Sequence, residues 1–188
     1  MSTASIQSIA PGLTAGTWNI DPTHSEVSFT IRHLMVSKVR GSFTGFTGTI
    51  AVGDDLLSAS VEASVDLATI NTRDENRDTH LRSADFFDTD KNKTMTYTST
   101  AIRADGGDFV VDGNLTLNGV TKSVPLTLEF NGVGGDPWGG TRAGFSAETE
   151  INRKDFGIDF NIPLDGGGVV LGDKVKVHLE IEAVLTPA

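Results

Sequence analysis

The chain has 188 residues, enough for one domain with a sizeable core and too few for two comfortable ones. Its 25 acidic residues against 15 basic ones give a formal net charge of −10, which argues against a general nucleic-acid binder, and the lack of cysteine removes disulfides, thiol catalysis and zinc–thiolate sites. No run approaches the ~20 apolar residues of a membrane-spanning helix, and the N-terminus lacks the basic and apolar regions of a signal peptide. A cytoplasmic protein without stable membrane insertion is therefore expected.

Residues 1–14 read as a flexible lead-in ending near Pro11-Gly12, ahead of a single β domain over 15–188. A short strand at Gly16–Ile20 runs into the turn Asp21-Pro22-Thr23-His24, with proline at a favoured turn position. The next strand, 25 to about 36, places Val27, Phe29, Ile31, His33 and Met35 on one parity, so a histidine projects from the apolar face. Over 41–52 the apolar parity slips between Phe43 and Phe46, which predicts a bulge or bend near Gly45. Ser60–Leu67 alternates again.

The pattern then breaks at Asn71–Arg82, a polar stretch that offers Asn71 or Thr72 as a helix N-cap. One or two helical turns are expected there, in a short excursion near residues 72–85. Thr94–Ile102 is a threonine-rich strand. The segments 109–117 and 122–131 form a predicted hairpin around Asn118-Gly119. Arg142–Ile151 alternates, 152–168 is irregular, and Lys174–Leu185 alternates most cleanly of all.

About eight strands in meander order, joined mostly by short turns, predict an all-β fold: an up-and-down, eight-stranded antiparallel barrel. Small residues at inward parity (Ala63, Gly113, Ala143, Ala147) interleave with Phe29, Phe43, Phe46, Phe130 and Phe145, which suggests an apolar cavity.

Two constellations carry chemistry. His33 is either a core histidine satisfied by a neighbouring group or a polar anchor for a ligand head group. No acidic residue lies between Glu26 and Asp54, whereas Arg32, His33, Lys38 and Arg40 do, so this interval is a local positive island suited to an anionic head. The competing reading is a solvated hairpin tip. The second constellation is Arg77–Phe87: a catalytic reading makes Asp78 or Asp85 the orienter of His80. The preferred reading is a salt-bridge cluster that clamps the excursion onto the barrel, with Phe86 and Phe87 as plugs. His24, His33 and His80 show no metal-ligand spacing, and no Gly-x-Ser-x-Gly elbow, phosphate loop or dinucleotide fingerprint occurs. Neither a metal nor another cofactor is expected.

The run Trp18-Asn19-Ile20-Asp21-Pro22-Thr23-His24-Ser25, followed by Phe29, Arg32-His33-Leu34-Met35-Val36 and Gly41-x-Phe43, resembles the N-terminal signature of the YceI-like family. Further matches are Arg77-Asp78-x-His80-Leu81-x-Ser83-x-Asp85-Phe86-Phe87, Gly113 to Lys122, Asp136-x-Trp138-Gly139 and Ile151-Asn152-Arg153-Lys154-Asp155-Phe156-Gly157. The resemblance covers roughly residues 16–185. It implies an extended lipocalin-like barrel that binds polyisoprenoids or related long-chain amphiphiles in its lumen, often as a dimer. Some members carry a secretion signal and are periplasmic.

The expected function is non-catalytic binding or carrying of a polyisoprenoid, an isoprenoid quinone or pyrophosphate, or a fatty-acid-like ligand. Val27, Phe29, Ile31, His33, Met35, Phe43, Phe46, Phe130 and Phe145 are the expected lumen contacts, and His33, Arg40 and His80 the candidates for the head group. The alternatives are an enzyme acting on such a lipid with His33 or His80 as acid–base, and a packed barrel that works through its outer surface.

Overall fold

Alternating side chains become twelve strands of one antiparallel sheet in the computed structural model, which describes residues 9–186. In chain order these are β1 (Gly16–Ile20), β2 (Glu26–His33), β3 (Ser37–Phe43), β4 (Phe46–Val52), β5 (Ser60–Asp66), β6 (Ile70–Asn71), β7 (Thr94–Asp105), β8 (Asp108–Leu117), β9 (Val120–Ser123), β10 (Leu126–Gly135), β11 (Thr141–Asn152) and β12 (Leu171–Thr186). A single α-helix, α1 (Glu75–Arg82), interrupts them among the described residues.

The twelve strands make eight staves because the first three staves are bent and because β9 and β10 lie end to end along β8. β1 and β2 lie end to end along β12, with Trp18 opposite Leu185 and Phe29 opposite Val177. β3 continues into β4, and β5 into β6, with the same neighbours on either side of each bend. From there β7, β8, β10, β11 and β12 follow as a meander, and the β1–β12 pairing closes the barrel. Closure leaves no long open edge.

Each bend has a visible cause. At the first, the Asp21 amide donates to Glu182 O at 2.8 Å, Thr23 N donates to Asp21 Oδ1 at 2.9 Å, and Glu182 N donates to Ser25 Oγ at 3.0 Å. At the second, a Cβ on Gly45 would stand 2.8 Å from Thr69 Cγ2, so only glycine lets the chain turn there. That is the bend expected from the slip between Phe43 and Phe46. The third is a short turn, Leu67–Thr69, capped by Asp66.

Three local expectations are corrected. The helix is capped by Asp74, whose Oδ1 accepts from Arg77 N at 3.0 Å, not by Asn71 or Thr72. Asn71 instead closes β6 and accepts from Arg73 N at 2.9 Å, which postpones the helix by a few residues. The hairpin after β8 is split: β9 stops at Ser123 and β10 starts at Leu126. Pro125 has no N–H to continue the ladder. Finally, the expected lead-in contributes to the core, for Ala10 and Leu13 are buried; residues 1–8 of that segment lie outside the described residues.

Two apolar clusters fill the barrel's ends. One gathers Ala10, Leu13, Trp18, Val52, Leu56, Ile102, Phe109 and Phe145. The other gathers Phe43, Phe46, Leu67, Ile70, Phe86, Phe156 and Ile158 beneath α1 and the irregular segment before β12.

Candidate ligand-binding site

Between these clusters the barrel encloses a cavity of about 470 Å³, within the range of roughly 300–1,000 Å³ usual for small-molecule sites. Its wall is built from the inward parity of nearly every stave. Val27, Phe29, Ile31 and His33 come from β2, Phe43 from β3, Phe46 from β4, Phe130 from β10 and Phe145 from β11. Ala63 and Ala147 also line it, and their small side chains leave the space that larger ones would fill. Gly113 acts differently. A Cβ there would stand 2.4 Å from the Tyr97 ring, so the glycine lets that ring lie flat across β8. Tyr97 donates its hydroxyl proton to Val124 O at 2.8 Å, with Val111 O at 3.2 Å. Burial first, and the charge of Asp112 second, push its pKa up to about 12, so this phenol stays a neutral donor.

Met35 and Arg40 do not reach the cavity. β2 ends at His33, and Leu34 and Met35 adopt left-handed backbone, with φ of 53° and 62°. The alternation stops there, so Met35 stands in an exposed turn with Leu34 and Val36. Arg40 has the opposite parity to Val39, which lines the wall, and pairs with Thr30 on the outer face. Arg32 and Lys38 face each other across the same ladder and are also exposed. The positive island is therefore an outer-surface feature, and His33 is its one member in the cavity wall. The His33 imidazole has no hydrogen-bond partner among the described residues; only its main-chain oxygen accepts, from Ser37 Oγ at 3.4 Å and Val36 N at 3.2 Å.

The excursion that follows β6 covers the same end. Asp78 is buried and accepts from Thr72 N at 2.9 Å and Thr72 Oγ1 at 2.5 Å. Arg77 closes the loop, with Nε donating to Thr72 Oγ1 at 2.7 Å and Nη2 to Thr72 O at 2.6 Å. The excursion is thus clamped, but through hydrogen bonds to Thr72 and not by the expected salt-bridge cluster: among the described residues neither Arg77 nor Asp78 makes an ion pair. Phe86 and Phe87 both line the cavity. His80 lines it too, with its ring 5.1 Å from Phe86 and from Phe160, and Nε2 lies 2.8 Å from Asp85 Oδ2. Asp85, not Asp78, therefore orients His80.

Of the two arginines and two histidines in the wall, Arg153 is the one to which the sequence reading gave no role. Arg153 is 4% exposed and lines the cavity. Its placement follows from the run Asn152–Gly157. Asn152 Oδ1 caps Lys154 N at 3.0 Å, Arg153–Phe156 make a short 3-10 turn, and Gly157 ends it with φ of 71°. Arg153 Nε donates to Gly172 O at 2.9 Å, and Nη1 donates to Ile158 O at 2.9 Å and Phe160 O at 2.8 Å. Nη2 is the one buried side-chain nitrogen or oxygen without a hydrogen-bond partner among the described residues. Burial draws its pKa down, against the pull of Asp173 and then Asp159. The signal was parity: Phe145, Ala147, Thr149 and Ile151 all line the wall, and Arg153 is the next residue in that series.

A domain profile described as the YceI-like domain matches residues 18–183. The chain belongs to the YceI-like family. It is 43% identical over 158 residues to Protein YceI of Escherichia coli, covering 82% of this chain and 83% of that one. It is 41% identical over 168 residues to a UPF0312 protein of Staphylococcus epidermidis, covering 88% and 95%. Among solved structures, the Campylobacter jejuni YceI protein superposes with a TM-score of 0.69 at 28% identity, over 84% of this chain and 91% of that one. A polyisoprenoid-binding domain from Saccharophagus degradans shares the fold, with a TM-score of 0.68 at 16% identity over 90% and 98% of the two chains.

Within this YceI-like barrel, the N-terminal run that carried the resemblance is structural. Asp21, His24 and Ser25 pin the first bend to β12, with His24 Nδ1 2.8 Å from Asp21 Oδ2. The later run containing Arg153 belongs to the cavity. Its wall holds two arginines and two histidines (Arg77, Arg153, His33, His80) and no carboxylate.

Proposed function

We propose that this YceI-like protein binds and carries a long-chain amphiphile, with the apolar chain in the barrel lumen and the polar end toward α1 and the β2–β3 turn. The cavity carries this reading: a space of about 470 Å³ inside the barrel whose wall is mostly aliphatic and aromatic, with its arginines and histidines gathered at one end. Each buried CH₂ contributes roughly 0.8 kcal/mol, so a chain of a dozen carbons supplies ample driving force without any further contact. The likeness to a domain described as polyisoprenoid-binding supports an isoprenoid as the chain class. Carrying without turnover is part of the proposal, since the wall offers threonine hydroxyls and one tied phenol but no activated nucleophile.

Two measurements test it. Lipid mass spectrometry of the protein purified without detergent is expected to recover a long-chain amphiphile at near-stoichiometric yield. Ala147→Trp, which fills the lumen from β11, is expected to weaken that retention by about tenfold or more. Recovery of empty protein, with Ala147→Trp as stable and as competent as the parent, counts against lumenal binding.

A second reading rests on the His80–Asp85 pair at 2.8 Å, the geometry an acid–base imidazole uses. It predicts turnover of an isoprenoid substrate that collapses in His80→Gln while binding persists. Loss of binding with no turnover in the parent returns the protein to the carrier class.

A further inference from the structure

We propose that the ligand's end group is anionic, a carboxylate or a phosphate, and that it docks on the free Nη2 of Arg153 inside the barrel. This rests on the lumenal reading above and specifies its polar end. The guanidinium is already fixed: three main-chain carbonyls at 2.8–2.9 Å hold Nε and Nη1. Its rotamer freedom is thus spent before a ligand arrives, and Nη2 is held in one place. A buried N–H without an acceptor carries an uncompensated desolvation penalty, and a ligand oxygen relieves it.

Asp173 does not meet that need. Its Oδ1 lies 3.9 Å from Nη2, beyond hydrogen-bonding reach, and is 3.2 Å from Lys154 Nζ. Asp159 acts on Arg153 only through space and is exposed. The remaining polar wall agrees in sign. Gly172, whose carbonyl holds Arg153, follows the strand partner of His33, and Phe160, whose carbonyl also holds it, meets the His80 ring edge to face at 5.1 Å. Arg153, His33 and His80 therefore share one end of the lumen. In a chain with 25 acidic residues, that end exposes none of them to the cavity.

The test is displacement of the fluorescent probe N-phenyl-1-naphthylamine from the full chain by retinoic acid, geranylgeranyl monophosphate and geranylgeraniol. These ligands carry a carboxylate, a phosphate and a neutral hydroxyl on isoprenoid chains. The parent is expected to prefer at least one of the anions over the alcohol by about tenfold, and the preferred anion names the head group. In Arg153→Met the three should converge to within about twofold, with the alcohol unaffected, whereas Arg40→Ala on the outer face should keep the preference. Equal affinity for all three in the parent, or loss of preference in Arg40→Ala, overturns the anchor and leaves lumenal binding standing. Failure of every ligand to displace the probe overturns lumenal binding itself. Arg153→Met also removes three carbonyl contacts, so a crystal structure of the parent with the preferred anion provides the reading without a substitution. An anionic oxygen within about 3 Å of Nη2 supports the proposal. An anionic group at the Trp18 end or outside the barrel overturns it.

Discussion

At one end of the barrel Ala10 and Trp18 are 0% exposed and Leu13 is 1% exposed, while at the other Leu34, Met35 and Ile162 are 40%, 49% and 52% exposed. The first end is sealed by fully buried apolar side chains around Trp18, whose Nε1 donates to Thr14 O at 3.0 Å. The second end is closed by a turn, a helix and a loop, and His80 packs there in face-to-edge contact with Phe86 and Phe160. The difference separates two demands on one fold. On the proposed reading, stability is concentrated at the end a ligand does not use, and polar, half-exposed groups gather at the end that would recognise it.

The largest expected effect breaks the sealed end. Trp18→Ala should cost roughly 3–5 kcal/mol of unfolding free energy in urea, from the lost ring, the cavity it leaves and its hydrogen bond. Phe160→Ala, half-buried at the recognising end, should cost about half as much and should weaken binding of the fluorescent probe instead. If Phe160→Ala costs as much as Trp18→Ala, the two ends are packed alike and the distinction between them fails.

How much of this was legible in the sequence follows from the physics of alternation. Period-two parity located the wall residues of β2, β3, β4, β10 and β11, because in a closed barrel every inward residue meets the same lumen. The same rule failed at Met35, where left-handed backbone at residues 34 and 35 ends the strand, and nothing in Leu34-Met35 announces such a turn. The same parity also sorts the charged side chains of β2 and β3. Clustering in sequence made Arg32, Lys38 and Arg40 look like part of one site with His33, yet strand pairing puts all three outside. Arg153 lay in plain parity with Ile151, but an arginine beside Lys154 and Asp155 reads as surface until the cap at Asn152 is seen to fold it inward. The burial of Ala10 and Leu13 depends on contacts with distant strands, such as Val133 against Gly12, which a local pattern does not encode.

A mid-sized effect tests the latch outside the sealed half. Arg142 Nη1 donates to Asp21 Oδ2 at 2.8 Å and to Glu182 Oε1 at 3.2 Å, and Nε donates to Asp136 Oδ2 at 2.9 Å. This guanidinium, with His24 second, holds the Asp21 carboxyl well below the usual carboxylate range. It lowers Asp136 as well. A carboxylate whose folded pKa is depressed contributes stability above its unfolded pKa, and that stability fades as pH falls through the folded one. The contribution is therefore full at neutral pH and fades from about pH 4 downward. Arg142→Met should melt lower than the parent at neutral pH, since three carboxylates are left facing one another. The two melting curves should approach each other as the solution is acidified below about pH 4. A gap that stays constant in acid would assign the loss to packing, and the sealed end would then owe nothing to its outer ion pairs.

The smallest effect concerns the turn at the recognising end, and a second turn in the same barrel provides its control. Asn118-Gly119 joins β8 to β9 with φ of 53° and 72°, using the residue types that tolerate such backbone. Leu34-Met35 adopts the same left-handed region, at 53° and 62°, with two side chains that do not. Replacing the pair by Leu34→Asn and Met35→Gly should raise stability by about 1 kcal/mol, the strain relieved less the extra freedom of an unfolded glycine. Neither side chain lines the cavity, so probe affinity should stay within about twofold of the parent. A loss of affinity beyond that would mean that the strained pair covers the ligand from outside. The boundary of the recognising end would then move from the wall at His33 to the tip of the hairpin.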